Sequence, residues 1–527
     1  MLATLISATL LGLDGRPIRV EVDVAPGLPG FTIVGLADAA LREARERVRG
    51  AIRNAGFAYP ARRITVNLSP AELPKAGASV DLAIAVGMLV GSEQVRVARG
   101  RLALIGELGL GGEVRSVPGL LPMLAALARH GVPRVLVPAD SIAEAALVTA
   151  IEAIPCRTLG EAIARLQVRR RPQRTIPPRI ALDDEMSPGL VPEEASVLSG
   201  AEPMRVPMAA PDLAEVRGQG EARRALEVAL AGGHGLLLIG PPGGGKTLLA
   251  RTIPGLAPPL SDAQALAATV VASAAGEGPI GGLIRQPPFR APHHTSSHAS
   301  IVGGGPGLSP GEVTRANHGT LFLDELPEFD RDVLEALRQP LEDGKVTIAR
   351  AARSVTFPAE FQFVAAMNPC RCGMAGTATC ACPRGAPSRY LNRISGPLRD
   401  RIDIWVWMPA ISAASIVHGV EPETSAVVAV RIARARVAQL ERSGGQLNAR
   451  MSGRVMRESC RLGPLERARA IALADAERLS GRGTDRLLRV ARTIADLAGA
   501  DRVQVPHLEE AARWRATTTR SSLELAS

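Results

Sequence analysis

The chain has 527 residues, of which 46% are hydrophobic and 22% are charged, so we expect about three folded domains rather than a disordered chain. Aromatic residues make up only 2%, which argues against a base-stacking platform as the main binding surface. The net charge is +10, and every basic residue except Lys75, Lys246 and Lys345 is an arginine. Two explanations are open for this excess of arginine: the base composition of the genome, or a basic surface that binds a polyanion.

Neither membrane insertion nor disulfide bonding is expected. No segment reaches the roughly 18 uninterrupted apolar residues that span a bilayer. The apolar run from Met1 to Leu13 lacks the basic start of a secretory signal and leads directly into a strand pattern, so we interpret it as a first strand. Six cysteines, four of them clustered, do not form a disulfide framework in so long a chain. The sequence therefore predicts a cytoplasmic protein without a membrane partner.

The first predicted domain covers residues 1–168. Alternating apolar residues predict strands at Ile18–Val24, Ile64–Asn67 and Val135–Val137. Helical periodicity predicts helices at Ala39–Ala55, Ser79–Val90 and Leu120–Gly131. Residues 169–211 follow with an arginine cluster, several prolines and an acidic patch but no periodicity, which is typical of a linker.

The second predicted domain covers residues 212–411 and the third covers residues 412–527. In the second, buried strand patterns alternate with helices, which is typical of a parallel α/β sheet. In the third, strand patterns are missing and amphipathic helices are predicted at Ala426–Arg442, Leu465–Leu479 and Arg486–Ala500.

A phosphate-binding loop is predicted after the buried strand Gly235–Ile239. The loop matches the P-loop pattern G-x-x-x-x-G-K-[ST] and leads into a helix. In such a loop the backbone N–H groups surround the phosphates, the lysine reaches the β- and γ-phosphates, and the hydroxyl contacts Mg²⁺. The predicted nucleotide-binding residues are Gly240, Pro241, Pro242, Gly243, Gly244, Gly245, Lys246 and Thr247.

A second motif completes the predicted site. The apolar strand Thr320–Leu323 is followed by Asp324 and Glu325. We assign the binding of Mg²⁺ to Asp324 and the polarisation of the attacking water to Glu325, because phosphoryl transfer needs these two roles. Together the two motifs predict an NTPase that uses ATP and Mg²⁺.

These motifs, together with Asn368 after a third apolar strand, resemble an AAA+ ATPase. The resemblance implies that Asn368 is the sensor-1 residue, which contacts the γ-phosphate or the water. The segment Ser395–Asp403 resembles the one that presents an arginine finger to a neighbouring subunit, with Arg401 as the first choice and Arg399 as the second. Arg482 stands where a sensor-2 arginine of the helical lid, in contact with the nucleotide, is expected.

Longer segments resemble the magnesium-chelatase-like ATPases of the YifB/ComM type. They are Pro-Phe-Arg-Ala-Pro-His-His at 288–294, Gly-Gly-Gly-Pro at 303–306 and Val-Ala-Arg-Thr-Ile-Ala-Asp at 490–496. Relatives of this type are implied to be hexameric DNA motors that drive branch migration during natural transformation. The resemblance therefore implies a homo-hexamer and single-stranded or branched DNA as partners. The Asp-x-Ser-x-Ser pattern of a chelatase partner domain does not occur in the sequence.

The first domain resembles the proteolytic domain of Lon, on residues 74–79 and 105–121. The resemblance implies an α+β fold like that of the second domain of ribosomal protein S5. Lon uses a Ser–Lys dyad, in which the lysine activates the serine. Ser79 falls near the serine position, but the lysine position carries Leu121, which cannot accept a proton. We therefore expect a catalytically inactive domain with a scaffold or DNA-facing role.

Four cysteines form a candidate metal site: Cys370, Cys372, Cys380 and Cys382. Four thiolates within thirteen residues suit a tetrahedral Zn²⁺ ion. The C-x-C spacing is tighter than the two intervening residues that are usual in structural sites, so reduced or redox-active thiols remain the alternative.

Three histidines, His293, His294 and His298, lie within six residues. No acid or cysteine follows at metal-ligand spacing. The resemblance places them in the helix-2 insert that reaches toward the hexamer pore. We favour a pore or interface loop over a metal site.

Residues 345–357 predict a β-hairpin with arginines at its tip. In related helicases the pre-sensor-1 hairpin occupies this place and projects into the central channel. Lys345, Arg350 and Arg353 would then contact DNA phosphates without reading the base sequence. A solvated hairpin tip is the alternative.

The sequence thus predicts an ATP-hydrolysing, hexameric DNA motor, a helicase or branch-migration factor in recombination during natural transformation. Three other functions compete with it. A protein-remodelling ATPase usually needs an aromatic pore loop, which the insert lacks. A metal-chelatase-type ATPase subunit needs a partner that carries the metal. A nucleotide-gated scaffold would hydrolyse little ATP, and Glu325 argues against it.

Overall fold

The computed structural model describes residues 1–35, 43–73, 75, 77–97, 101–167, 210–305, 308–350, 353–375, 379–411 and 422–516. Six predicted features lie partly or wholly outside the described residues. They are the start of the helix at Ala39–Ala55, residues 74 and 76 of the segment 74–79, the linker up to residue 209, residue 306 of the segment 303–306, the hairpin tip at 351–352, and residues 412–421 and 517–527 of the third domain.

Two compact units make up the chain, and neither is continuous in sequence. The first comprises Met1–Arg205, Ala265–Ile284 and Pro306–Ser309. The second comprises Val206–Gln264, Arg285–Gly305 and Pro310–Ser527. Ala265–Ile284 lies within the predicted ATPase domain, residues 212–411, but belongs to the first unit of the structure. The reason is apolar packing, because Ala272 and Ile280 are buried in one of that unit's hydrophobic clusters.

A seven-stranded mixed sheet forms the framework of the first unit. Its strands are β1 (Leu2–Leu11), β2 (Asp14–Ala25), β3 (Gly30–Val34), β4 (Arg63–Ser69), β5 (Leu102–Leu104), β8 (Arg134–Pro138) and β9 (Glu152–Cys156). The strands β6 (Glu107–Leu108) and β7 (Val114–Arg115) form a separate pair. The order in the sheet is β3-β4-β2-β1-β5-β8-β9. β2 runs antiparallel to both β1 and β4, and the pairs β1–β5, β5–β8 and β8–β9 are parallel.

Helices cover this sheet on both faces. They are Ala44–Asn54, Asp81–Gly91, Leu120–Arg129, Ile142–Ala145 and Leu159–Leu166. Alternate residues of the strands enter two different apolar clusters, with Leu136 in one and Val135 and Val137 in the other. Successive side chains of a strand point to opposite faces, so the sheet is buried on both sides.

A five-stranded, all-parallel sheet forms the framework of the second unit. Its strands are β10 (Leu236–Ile239), β11 (Phe289–Arg290), β14 (Thr320–Leu323), β17 (Gln362–Met367) and β18 (Ile404–Trp407), in the order β11-β14-β17-β10-β18. The short strands β12 (Gly303–Gly304) and β13 (Ser309–Pro310) lie outside this sheet, as does the antiparallel pair β15 (Lys345–Arg350) and β16 (Arg353–Pro358).

The helices around this sheet lead to a helical C-terminal region. They are Gly220–Gly232, Lys246–Arg251, Ile253–Leu256, His298–Val302, Glu312–Arg315, Arg331–Ala336, Arg338–Asp343, Ala386–Leu391, Gly396–Arg399, Ser425–Ser443, Gly453–Cys460, Pro464–Ala476, Gly481–Leu497 and Val505–Ala516. The helix Asp262–Ala274 belongs, from Ala265 onward, to the first unit. One apolar cluster contains Leu236 and Val364 of the sheet together with Leu487 and Ile494 of the lid helix Gly481–Leu497. The lid therefore shares its core with the sheet.

The predicted fold class is confirmed. The P-loop unit is α/β with a parallel sheet, the described residues 422–516 contain helices and no strand, and the N-terminal unit is α+β. The predicted strands Ile64–Asn67 and Val135–Val137 and the predicted helix Ala426–Arg442 lie within two residues of the observed Arg63–Ser69, Arg134–Pro138 and Ser425–Ser443, whereas the helix predicted at Arg486–Ala500 begins at Gly481. None of the helices in the described parts of the chain is long and apolar enough to cross a membrane.

Candidate active site

The P-loop lies at the carboxyl end of β10, the strand between β17 and β18. Gly240 begins the loop where the chain passes close to the neighbouring strand end, since a Cβ at Gly240 would lie 2.1 Å from the carbonyl oxygen of Met408. Gly245 has a φ of +81° and precedes the helix Lys246–Arg251. The two glycines thus meet backbone constraints that other residues cannot, and leave the loop's N–H groups available for phosphate oxygens.

Lys246 connects the P-loop to the end of β17. Its Nζ donates hydrogen bonds to the carbonyl oxygens of Gly240 (2.7 Å) and Pro241 (2.9 Å) and to Oδ1 of Asn368 (3.1 Å). Burial lowers the pKa of the Lys246 ammonium, while the charges of Asp324 and Glu325 act to raise it. The predicted lysine and the predicted sensor residue, 122 positions apart in sequence, therefore lie in direct contact.

The two predicted Mg²⁺ ligands are also in contact. Thr247 Oγ1 donates a hydrogen bond of 2.6 Å to Oδ2 of Asp324 at the end of β14. A hydroxyl and a carboxylate are oxygen ligands of the kind that Mg²⁺ prefers. The donor set therefore fits a Mg²⁺–ATP complex: an ammonium and backbone N–H groups for the phosphates, and Thr247 and Asp324 for the metal.

Glu325 stands beside this pair in an unusual backbone conformation. Its φ is +53°, in the left-handed region that few residues other than glycine adopt. Its side chain is half exposed, and Oε2 lies 3.3 Å from Nδ1 of His294. Strained backbone at such a place is typical of functional sites. The contact with His294 was missed by the sequence analysis, which interpreted the three histidines as a pore or interface loop; that assignment stays a prediction.

The two predicted arginines of the site have different surroundings. The guanidinium of Arg401 donates to the carbonyl oxygen of Pro397 (2.8 Å) and forms an ion pair with Glu342. Arg482 is exposed on the first turn of the lid helix. Arg401 therefore has a partner within its own chain that it would have to leave in order to reach a neighbouring subunit.

A buried polar network anchors the lid helix to the sheet. His234, two residues before β10, lies 3.2 Å from Asp403 Oδ2 through Nδ1 and 2.8 Å from Thr493 Oγ1 through Nε2. Arg486 of the lid lies 3.4 Å from Asp403 Oδ1. Burial acts to raise the pKa of Asp403, but the hydrogen bond with His234 and the charges of Arg486 and Arg515 lower it overall. Nothing in the sequence pattern identified this network, because its members are spread over 260 residues.

The predicted hairpin exists as the strand pair β15–β16. Arg350 pairs with Arg353 in the antiparallel register, directly before and after the tip. Thr347 and Thr356 face each other with hydroxyl oxygens 3.0 Å apart. The register brings the two arginines to the same end of the hairpin, as the hairpin prediction requires.

The four clustered cysteines lie directly beyond Asn368. The Sγ atoms of Cys370, Cys372, Cys380 and Cys382 are all within 4.8 Å of one another, and none of the four thiols forms a disulfide bond.

In the first unit, at the positions that resemble the Lon dyad, Ser79 Oγ donates to the carbonyl oxygen of Ala8 (3.0 Å), and the side chain of Leu121 is buried in the core.

Three family models match the chain. The model "Magnesium chelatase, subunit ChlI" matches residues 212–416, "Subunit ChlI of Mg-chelatase" matches residues 20–141, and "Magnesium chelatase, subunit ChlI C-terminal" matches residues 422–515. Together they include the P-loop, both strand-end motifs and the lid helix.

Individual relatives match over nearly the whole chain. The uncharacterized protein Rv2897c of Mycobacterium tuberculosis is 43% identical over 98% of both chains. The uncharacterized protein YifB of Escherichia coli is 40% identical over 96% of this chain and 95% of its own length. The competence protein ComM of Haemophilus influenzae is 39% identical over 98% of this chain and 97% of its own length. The predicted resemblance is confirmed.

The likeness of the first domain to Lon is confirmed as well. The Lon protease of Rhizobium meliloti is 24% identical over 192 residues, which cover 34% of this chain and 23% of that enzyme.

Proposed function

This protein belongs to the magnesium-chelatase ChlI family, in the form represented by YifB and ComM, and from that premise we propose that it is an ATP-hydrolysing motor that acts on DNA as a homo-hexamer. The observation that carries the proposal is the convergence of Lys246, Thr247, Asp324 and Asn368 at one edge of the parallel sheet. These residues come from the ends of β10, β14 and β17, the place where ligands bind in open α/β sheets.

In the proposed reaction each side chain has a separate task. Lys246 and the P-loop N–H groups hold the phosphates, and Thr247 and Asp324 would hold Mg²⁺, which neutralises charge on the phosphates. Glu325 orients the attacking water and accepts its proton. Asn368 accepts a hydrogen bond from Lys246 and would contact the γ-phosphate or the attacking water. Arg401 of one subunit would complete the site of its neighbour.

DNA is the proposed substrate of the motor. The arginines of β15–β16 support this proposal, because their register places both beside the hairpin tip. By neutralising phosphates, Arg350 and Arg353 would bind a DNA strand without regard to its base sequence. The competence protein ComM is a relative over nearly the full length, and its name supports a role in competence, which agrees with the proposed action in recombination during natural transformation.

Further parts of the molecule have proposed roles outside hydrolysis. We propose that the first unit lacks peptidase activity, since Leu121 stands at the position of the dyad lysine. We propose a structural Zn²⁺ ion at Cys370, Cys372, Cys380 and Cys382. We also place the protein in the cytoplasm, where thiols such as these stay reduced.

The test is the rate of ATP hydrolysis with no DNA, with single-stranded DNA and with a branched DNA junction. We expect DNA to raise the rate, and we expect the Arg350→Ala/Arg353→Ala variant to need more DNA for the same rise. Each lost phosphate contact should flatten the slope of log affinity against log salt by roughly 0.7–0.9.

The matched control is Arg454→Ala/Arg457→Ala. It removes the same charge at the same spacing from the exposed face of the helix Gly453–Cys460, where Arg454 pairs with Glu458 and Arg457 with Asp485. It should bind DNA like the parent protein. A rate of ATP hydrolysis that neither single-stranded nor branched DNA changes would favour the chelatase-type or protein-remodelling alternative.

A further inference from the structure

The spacing of the four cysteine sulfurs matches that of a tetrahedral metal site. Cys370 Sγ lies 3.3 Å from Cys372 Sγ and 4.0 Å from Cys380 Sγ, and Cys372 Sγ lies 3.7 Å from Cys380 Sγ. With Zn–S bonds of about 2.3 Å, the sulfurs of a tetrahedral site lie about 3.8 Å apart. A disulfide bond would need about 2.0 Å. The three measured distances bracket the tetrahedral value, and Cys382 Sγ lies within 4.8 Å of the other sulfurs, so the four thiols are close enough together to bind one Zn²⁺ ion.

The backbone around the sulfurs also suits a metal-bound thiolate. The N–H of Ala375 donates to Cys370 Sγ at 3.2 Å, which stabilises charge on that sulfur. Cys370 is buried, whereas Cys372 is exposed. Thiolates select soft or borderline metals, so Zn²⁺ is the expected ion at a site with four of them.

The segment 370–382, here called the cysteine loop, contacts the P-loop at Gly373. A Cβ at Gly373 would lie 2.6 Å from Cδ and 2.7 Å from Cγ of Pro242, and 4.0 Å from Cγ of Asn368. Asn368 in turn accepts a hydrogen bond from Lys246. The backbone at Gly373 therefore lies against the P-loop, with no room for a side chain.

We propose that one Zn²⁺ ion bound by Cys370, Cys372, Cys380 and Cys382 holds the backbone at Gly373 against Pro242, and so keeps the P-loop in its nucleotide-binding form. The inference rests on the proposed nucleotide site and adds a structural metal as a requirement for it. Binding of the ion displaces the thiol protons to solvent and changes no oxidation state. Loss of the ion frees the loop, and the P-loop then loses one of its walls.

The first measurement is the zinc content of the full-length protein, purified without chelator. We expect one Zn²⁺ per chain in the parent protein and in Cys156→Ser, whose cysteine is buried far from the cluster in sequence and in the first unit. Cys372→Ser should lose most of the zinc. A parent protein that holds no zinc, takes up none when Zn²⁺ is added, and titrates with four reactive thiols at the cluster would overturn the metal site.

The second measurement separates the contact with Pro242 from backbone strain. Gly373→Ala and Gly385→Ala both place a side chain at a positive φ, +82° and +77° respectively, but a Cβ at Gly385 meets nothing within 4 Å. With zinc retained in both, we expect Gly373→Ala to bind a fluorescent ATP analogue about tenfold more weakly than the parent protein, a free-energy difference of about 1.4 kcal/mol. Gly385→Ala should bind it like the parent.

The outcomes distinguish the inference from the proposed function. Equal nucleotide affinity in Gly373→Ala and Gly385→Ala would overturn the link between metal and P-loop, even if zinc is present. Zinc-depleted Cys372→Ser that still binds the analogue with parental affinity would overturn it too. A parent protein that contains zinc but binds no ATP would contradict the proposed ATPase itself.

Discussion

Two of the three lysines in the chain are buried, and they differ in their surroundings. Lys246 in the second unit is 8% exposed and Lys75 in the first is 1% exposed, and burial lowers the pKa of both. The Nζ of Lys246 donates to two carbonyl groups and to Asn368, beside Asp324. The Nζ of Lys75 donates to the carbonyl oxygen of Pro70.

The hydroxyl groups near the two lysines in sequence, those of Thr247 and Ser79, also differ in their hydrogen-bond partners. Thr247 donates to the carboxylate of Asp324, at the edge of the sheet where the P-loop begins. Ser79 donates to a backbone carbonyl group inside its own unit. At the position where the resemblance to Lon leads one to expect a lysine, the backbone N–H of Leu121 donates to Glu144 Oε1 (3.0 Å).

The comparison teaches that a buried lysine and a nearby hydroxyl do not define an active site by themselves. In the second unit Asn368 at the end of β17 and the acids at the end of β14 lie around the lysine at the end of β10, so its charge has polar partners from other strand ends. In the first unit the same groups complete the hydrogen bonds of the core. Substitutions in the two units should therefore differ in their effect on ATP hydrolysis.

Replacing the two lysines should have opposite outcomes. Lys246→Ala should reduce ATP hydrolysis by at least about 10²-fold, because a charged donor to the phosphates is lost. Lys75→Met should hydrolyse ATP at the parental rate. Steady-state phosphate release measures both. A comparable loss in the two variants would mean that Lys246 acts through folding rather than through the nucleotide.

Glu325→Gln should separate binding from chemistry. ATP affinity should stay close to the parental value because Lys246 and Asp324 remain, while turnover should fall by about 10²–10⁴-fold with the loss of the group that orients and deprotonates water. Titration with a fluorescent ATP analogue and single-turnover hydrolysis measure the two quantities. Ser79→Ala, the corresponding change in the first unit, should alter neither; parental turnover in Glu325→Gln would remove Glu325 from this role.

Arg401 extends the comparison to the neighbouring subunit. If Arg401 completes the site of the next subunit, Arg401→Ala and Lys246→Ala proteins are each inactive but regain activity when mixed. In random mixtures of equal parts, about a quarter of the interfaces of a ring join an intact Lys246 to an intact Arg401. Activity should therefore return to roughly that fraction of the parental rate. No recovery at any ratio, with rings verified by light scattering, would assign Arg401 to its pairing with Glu342 alone.

The smallest expected effect concerns Glu144 in the first unit. Burial raises the pKa of Glu144, against the hydrogen bonds from Ser273 (2.6 Å) and the N–H of Leu121. The folded protein thus keeps a proton that the unfolded chain loses above the ordinary glutamate pKa. The free energy of unfolding should therefore fall as the pH rises from that value through the raised pKa, by about 1.4 kcal/mol for each unit between the two.

Glu144→Gln should remove this part of the pH dependence, because an amide does not ionise, while its oxygen can still accept both hydrogen bonds and so preserve the packing. Denaturant unfolding at a series of pH values measures it. Glu152→Gln, at an exposed glutamate of β9, should leave the pH dependence unchanged. An unchanged slope in Glu144→Gln would show that Glu144 ionises in the folded protein as it does in water.

Much of the fold and of the site could be predicted from the sequence because the signals are local. The P-loop is eight consecutive residues, and Asp324 and Asn368 each follow an apolar strand directly. Parallel strands place their carboxyl ends at one edge, so three local motifs predict one site. The hairpin at 345–357 was predicted for the same reason, since its strands are neighbours in sequence.

Other features could not be predicted because they join distant residues through packing. Residues 265–284 belong to the first unit because Ala272 and Ile280 are buried in its core. The sequence of an apolar helix does not indicate which of two cores the helix packs into. The contact between His294 and Glu325 and the ion pair between Arg401 and Glu342 depend on the path of the chain between the strands. No spacing rule connects these residues.

The sequence by itself determined the type of chemistry: a P-loop, two acids and a polar residue at strand ends, in an α/β unit with a helical lid. Only the tertiary structure decided which buried groups act together. Lys246 is surrounded by Asn368 and Asp324, and the cysteine loop lies against Pro242. Lys75 and Ser79, with equally suggestive side chains, instead bind backbone carbonyl groups. The physical reason is that hydrogen bonds and ion pairs act over a few ångströms, and distances between residues far apart in sequence are set by the packing of the whole core.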